Sequence, residues 1–499
     1  MPPARTSFKK SMIYGVSSWI VPVALGPIST PIIVHSLGAH QYGIYALVLG
    51  LIAYSFNFNV GRAVTKYLAE YRASGQTEKI RGVLAATFAI NLIVGGLGIV
   101  ITIFLAPYLV SRVFHIEESF RSEATTAIYL SAFVIFAFTW GQVFNAILQG
   151  LNRIDVFAKL QNITSLLMVG GSITIALLGY GLIPLLYWNL GTTTLGAILS
   201  AITSRRLLPE FGFSLFADSE AFRRVVLFSA PVVGYQIVAN AVLLFERGWI
   251  TAWLGSEALT YYVVPMTPGM LLHGFVFSAM ITLFPVVSGL DDKTQLVSLY
   301  RRASKAVCFI VVFAVASLIA LNQPILALWV RGDFAAQSGT LLILHSLTFG
   351  ILAIGVVSYQ LADGVGFPSF GFWATLFVLV IGLPLMVMLL PYGNFGIAVA
   401  RLSAFAIMIP AIALLERRVF GQVQKRFWLE NGIRLLAAGV AAGVAQTLIR
   451  SLVSDNWLTL AVEFAVGGAV YLLVLYISGF VDADERELIK SVRARVGLI

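Results

Sequence analysis

The sequence predicts an all-α polytopic membrane protein of about fourteen transmembrane helices, two parallel six-helix bundles plus two C-terminal helices. Three observations predict it. Hydrophobic residues fill 59% of 499 positions and charged residues only 11%, more apolar surface than a soluble fold can keep from water. Apolar runs of about twenty residues, the length that crosses a bilayer, recur along the whole chain. Several short phrases of the first half return in the second at nearly one offset.

The runs centre near residues 24, 52, 94, 134, 169, 192, 238, 271, 313, 346, 378, 404, 440 and 467. Lys9 and Lys10 precede the first, and no small-residue cleavage site follows it, so it reads as a retained span. With a cytoplasmic amino terminus, 27 of the 33 Lys and Arg residues fall on the inner side, from Arg5 to Arg495. The outer side keeps Arg112, Arg121, Arg247, Arg331 and Arg450, and Arg401 lies within a span. This asymmetry predicts that both termini are cytoplasmic and that the span count is even. External connections are short, and no hydrophilic segment is long enough for a soluble catalytic domain. An enzyme is therefore not expected.

The repeat begins with Leu37-Gly38 through Tyr42-Gly43-Ile44-Tyr45, echoed by Leu254-Gly255 through Tyr261-Tyr262 at an offset of 254 − 37 = 217. Gln149-Gly150-Leu151 is echoed by Asp363-Gly364-Val365 (364 − 150 = 214), and Tyr180-Gly181 by Tyr392-Gly393 (392 − 180 = 212). Arg205-Arg206 returns as Arg417-Arg418 (417 − 205 = 212). Six spans per copy give both copies one orientation. The expected organisation is an N-terminal bundle over 1–206, a cytoplasmic linker over 207–224, a second bundle over 225–420, two helices over 421–481 and a cytoplasmic tail over 482–499. Prolines 22, 27 and 31 in the first span, and 265 and 268 in the eighth, mark candidate bends.

Several function classes fall away. A net charge of +10 suggests nucleic acid in a soluble protein, but here the bases cluster between apolar runs, as cytoplasmic loops do. Cys308 is the lone cysteine, so no internal disulfide forms. The five histidines show no ligand spacing, and Gly95-Gly96-Leu97-Gly98 lies inside a span, where it is no nucleotide loop. No cofactor and no metal are expected.

What remains are polar residues within spans. Gln236, Asn240 and Arg247 step by four and seven, so they share one helix face, with Glu246 beside Arg247. Arg401 lies about eight residues into its run, roughly 12 Å along the axis. A charge there costs at least about 2.5 kcal/mol unless it faces a cavity or a partner. Arg401 therefore either lines a hydrated passage, snorkels outward or pairs structurally. Asn59, Arg62 and Lys66 form a stripe in the second run, and Gln142, Asn145 and Gln149 in the fourth. Such stripes line a lumen or simply join helices. Glu246 is a candidate for ion coupling or a satisfied ion pair.

These residues resemble a known family. Leu37-Gly38 with Tyr42-Gly43-Ile44-Tyr45, Gly61-Arg62-Ala63 with Lys66-Tyr67 and Ala69-Glu70, and Glu246-Arg247 before Leu254-Gly255 and Tyr261-Tyr262 are similar to the Wzx-type polysaccharide-repeat flippases of the multidrug/oligosaccharidyl-lipid/polysaccharide exporter superfamily. The likeness runs over residues 8 to 425. Members more often carry Asp where this chain has Glu246, which keeps the carboxylate but alters its reach. The resemblance implies alternating-access transfer of a polyprenyl-diphosphate-linked oligosaccharide from the inner to the outer leaflet of a bacterial plasma membrane. It implies H+ or Na+ as coupling ion, with polysaccharide polymerase and glycosyltransferases as partners. Arg62, Arg247 and Arg401 would meet the diphosphate, and Asn59, Gln142, Asn145, Gln236 and Asn240 the sugar hydroxyls. The alternatives are a cation-coupled multidrug exporter of the same fold and a membrane-embedded glycosyltransferase or polymerase.

Overall fold

In hydrocarbon each backbone N–H and C=O must be satisfied within its own segment, which makes helices of the apolar runs. The computed structural model describes residues 8–54, 61–208, 211–216, 218–280, 283–290, 292–330, 334–367, 369–452 and 454–480. Arg5, Asn59, Arg331 and the expected tail 482–499 lie outside the described residues. Within them every regular element is helical: α1 Phe8–Tyr54, α2 Gly61–Ala73, α3 Glu78–Tyr108, α4 Glu118–Gly150, α5 Ile154–Leu177, α6 Leu182–Leu207, α7 Ser219–Leu254 and α8 Ser256–Val263. There follow α9 Met266–Met280, α10 Leu283–Ser288, α11 Lys293–Ala320, α12 Asn322–Trp329, α13 Phe334–Gly364, α14 Ser369–Leu389, α15 Gly393–Phe405, α16 Met408–Phe420, α17 Lys425–Arg450 and α18 Trp457–Ile477.

The all-helical, multi-span class is borne out. Among the described residues eleven helical segments are long and apolar enough to cross a membrane, or twelve with α8 and α9 counted as one. Two segments each hold two of the predicted runs: α1, interrupted at Gly38, and Ser369–Phe420, interrupted at Leu390–Tyr392. Fourteen crossings remain an expectation. In α1 the backbone stays helical through its prolines and departs only at Gly38.

The repeated phrases share backbone geometry. Gly38 (φ 72°, ψ 167°) and Gly255 (φ 92°, ψ 166°) break their helices in a conformation that glycine alone adopts freely. Gly181 (φ 82°, ψ −168°) and Gly393 (φ 63°, ψ −148°) do the same ahead of α6 and at the start of α15. Gly150 ends α4 and Gly364 ends α13. The motif pairs are thus repeated helix breaks, because the steric rule acts identically in each copy.

Cα proximity divides the chain into two compact units, Met1–Val264 with Leu379–Ile397, and Pro265–Val378 with Ala398–Ile499. In the first, α1 packs on α5 and α4, α4 packs on α6, α3 and α2, and α7 packs on α1 and α3. Lipid tails are as apolar as leucine, so these helices associate through close fit and polar links rather than hydrophobic exclusion. At Gly171 an added Cβ would stand 2.0 Å from the Trp188 ring. Ile93, Leu97, Ile101, Phe104 and Tyr108, in steps of four, four, three and four, form an exposed apolar face of α3 suited to acyl chains. The segment after α6 turns Phe213 onto the Phe88 and Trp140 rings, with centroids at 5.1 and 5.9 Å.

In the second unit α13 is the central helix, packed on α9, α10, α11, α12 and α16, while α17 pairs with α18 and rests on α11. Glu416 of α16 is fully buried where α11 and the start of α17 meet it. Its Oε1 accepts from Tyr300 Oη at 2.9 Å and Trp428 Nε1 at 2.6 Å, and its Oε2 from the Gln424 backbone N–H at 2.8 Å. Three donors hold that carboxyl group in place.

Candidate functional site

Within the first unit the two copies of the repeated phrase lie against each other. A Cβ added to Gly43 would fall 1.7 Å from the Ser256 carbonyl oxygen, so α1 and α8 touch backbone to backbone there. Thr260 Oγ1 donates to the Ala39 carbonyl at 2.5 Å. This close approach sets the position of α7, which leads into α8 through Gly255.

Arg247 of α7 thereby reaches α1. Its Nη1 donates to the Ala46 carbonyl at 2.5 Å, and its guanidinium lies 5.5 Å from the centre of the Tyr54 ring. Gly50 is the socket: a Cβ there would stand 2.5 Å from Arg247 Cδ. The side chain is half-buried rather than extended into solvent. Adjacent residues point about 100° apart on a helix, so Glu246 turns elsewhere. It is 1% exposed, and its Oε1 accepts from the Tyr262 hydroxyl. The carboxylate and guanidinium of neighbouring residues are therefore held by different partners, one on α8 and one on α1.

Because α7 is unbroken from Ser219 to Leu254, Gln236 and Asn240 share the Arg247 face, both half-buried. Arg62 is exposed on the first turn of α2. One turn on, Lys66 Nζ lies 4.9 Å from the Tyr67 ring centre and 4.7 Å from that of Phe228. Asn59, expected on the same stripe, lies outside the described residues. On α4 Gln142 is half-buried, and Asn145 Oδ1 accepts from Ser200 Oγ at 2.9 Å, which ties α4 to α6.

Arg401 belongs to the second unit. It is 1% exposed, with its guanidinium 5.1 Å from the Phe349 ring centre and 5.7 Å from that of Phe405. Nη1 meets Met266 Sδ at 3.3 Å. Aromatic faces and a polarisable thioether stabilise a weakly hydrated cation, and Arg suits such a box better than Lys. Phe349 takes up its place because Gly269 of α9 lacks a side chain: a Cβ there would be 2.8 Å from its ring.

Gly50, Glu416 and Glu463 are functional or structural positions not expected from the sequence, and Tyr262 was expected only as part of the repeated phrase. Tyr262 stands in the repeated phrase itself, and Glu463 is a lone acid within an apolar run, the usual signal of a functional intramembrane group. Gly50 and the donors to Glu416 leave no local signal. Among the described residues no three His, Cys, Asp or Glu side chains gather as a metal site.

A family model described as "Polysaccharide biosynthesis protein" matches residues 8–290, more than half of the chain. The chain belongs to this family. The resemblance carried by the Leu37–Tyr45 and Glu246–Tyr262 motifs holds at that level, and this family member has the many apolar helices of a multi-pass membrane protein. It is 22% identical to the uncharacterized membrane protein EpsK of Bacillus subtilis (strain 168), over 97% of this chain and 98% of that one. To a putative O-antigen transporter of Shigella flexneri it is 19% identical, over 72% of this chain and 85% of the other. Its fold is similar to that of the lipid II flippase MurJ in an inward closed conformation, with a TM-score of 0.74, 16% identity, and coverage of 96% and 99%. That similarity bears on the fold alone.

Proposed function

We propose that this family member is a flippase that carries a polyprenyl-diphosphate-linked oligosaccharide from the inner to the outer leaflet of a bacterial plasma membrane, both termini cytoplasmic. The observation that carries the reading is the polar face of α7, where Gln236 and Asn240 precede the half-buried Arg247. A diphosphate-sugar head crosses hydrocarbon only along a shielded path with cations and hydrogen-bond donors. Arg247 supplies the first, with Arg62 and Arg401 as further cations, and Gln236, Asn240, Asn59, Gln142 and Asn145 supply the second. The polyprenyl tail stays in lipid. Alternating access of the two repeat copies exposes the path to each face in turn. Glu246, which accepts the Tyr262 hydroxyl, is the proposed coupling carboxylate for H+ or Na+. A cation on this face also disfavours a multidrug exporter of cationic compounds, which calls for acids.

The test is complementation of a flippase-null strain, combined with transfer of lipid-linked oligosaccharide in proteoliposomes. Arg247→Ala is expected to lower surface polysaccharide and transfer together at unchanged protein level. Full activity of both Arg247→Ala and Arg401→Ala would sink the cationic path.

A further inference from the structure

Among the described residues three helical Glu side chains are buried, and they differ in their donors. Glu246 has the Tyr262 hydroxyl, and Glu416 has a phenol, an indole and a backbone amide. Glu463 of α18 is 1% exposed, and among the described residues its Oε1 has no hydrogen-bond partner. One helical turn on, at Gly467, α18 meets Gln446 of α17 so closely that a Cβ would stand 2.2 Å from its Nε2. Gln446 is fully buried; Nε2 donates to Ser317 Oγ of α11 at 2.9 Å, and Oε1 is left without a donor. A carboxyl oxygen of α18 and an amide oxygen of α17, each without a donor among the described residues, thus lie along one seam of α11, α17 and α18.

We infer that Glu463 is a proton-binding site, held as the neutral acid with the Gln446 amide oxygen as the acceptor on its face. An ionised Oε1 there would lack both water and a donor, whereas one proton relieves the carboxyl and supplies the donor the amide oxygen lacks. The charged groups that face it are Asp455 and Arg450, at the turn between α17 and α18, 3.9 Å apart. Over 309–329 of α11 and α12 and over 435–449 of α17 no side chain facing this corner is ionisable. On α18 the next such group is Tyr471, whose hydroxyl is committed to the Phe309 carbonyl at 2.9 Å. Protons reach the site from the Arg450–Asp455 end, about 9 Å along α18 from Glu463.

Infrared difference spectroscopy on the purified full chain in lipid nanodiscs tests this. At neutral pH the wild type is expected to show a protonated-acid carbonyl band that Glu463→Gln abolishes. Glu463→Asp should retain the band, and Gln446→Leu should shift it to higher frequency by removing the acceptor. The rival arrangement turns the Gln446 amide by 180°, gives Glu463 an N–H donor and keeps it ionised. No protonated-acid band in the wild type, or a band indifferent to both Glu463→Gln and Gln446→Leu, overturns the proposal. Gln446→Leu keeps the acid in place, so the test stands even if Glu463→Gln fails to fold.

Discussion

Arg247 donates to the Ala46 carbonyl across 201 residues of sequence, and its side chain lies over Gly50, where an added Cβ would stand 2.5 Å from Cδ. The cation is thereby fixed by the backbone of another helix rather than by an acid. Gly50→Val should dislodge it. The expected result is a loss of oligosaccharide transfer close to that of Arg247→Ala, with protein level retained. Gly50→Ala should give an intermediate loss, because the flexible Arg stem can yield part of the 2.5 Å conflict. Transfer equal to wild type in Gly50→Val would detach Arg247 from function.

The Gly43–Ser256 contact predicts a different phenotype. Here the neighbour is backbone, at 1.7 Å from an added Cβ, and nothing can rotate away. Gly43→Ala must separate α1 from α8, an overpacking cost of about 1–3 kcal/mol. Gly38→Ala and Gly255→Ala carry a comparable cost of about 1–3 kcal/mol from their positive φ. Thermal unfolding in detergent should drop for all three, while Gly96→Ala, with open space around it, should be silent.

Glu416 offers a structural contrast. Glu416→Leu would strand the Trp428 N–H and the Gln424 amide, each a loss of about 1–3 kcal/mol when buried, and leave the Tyr300 hydroxyl to Ser358 Oγ at 3.4 Å. Trp428→Phe removes one donor and should cost about 1 kcal/mol. The reading is the midpoint of thermal unfolding, with the order wild type, Trp428→Phe, Glu416→Leu.

How much of this was legible in the sequence depends on the range of the cause. Helix breaks are local, so the repeated Leu-Gly phrases marked Gly38 and Gly255 in advance. Spans follow from composition and helix period, and placed Gln236, Asn240 and Arg247 on one face. Side-chain partners follow from packing and left almost no trace. Nothing in the sequence ties Asn145 to Ser200, or Tyr300 of α11 to Glu416 of α16. Glu463 was visible as an acid among apolar residues, but Gln446, packed on Gly467 one helical turn away, is known only once α17 and α18 are side by side.

Topology is testable through the single cysteine. Cys308 is buried, so Cys308→Ala gives a quiet background for single-cysteine labelling in intact cells. Gln76 in the turn after α2 and Tyr180 after α5 are both exposed. The distribution of basic residues predicts that Tyr180→Cys reacts with a membrane-impermeant maleimide from outside and Gln76→Cys does not. The opposite pattern would invert the chain.

Arg401 separates charge from packing. Its guanidinium is enclosed by Phe349, Phe405 and Met266. Arg401→Met fills the same space without charge, and a buried cation replaced by an apolar chain of similar volume is often neutral or stabilising for the fold. If the charge serves the diphosphate, Arg401→Met should change stability by under about 1 kcal/mol, yet lose transfer. Arg401→Lys retains charge but not the planar stacking, so partial transfer with lower stability is expected. Were Arg401→Met to keep full transfer, the residue would be a packing element and the cationic path would rest on Arg247 and Arg62 alone.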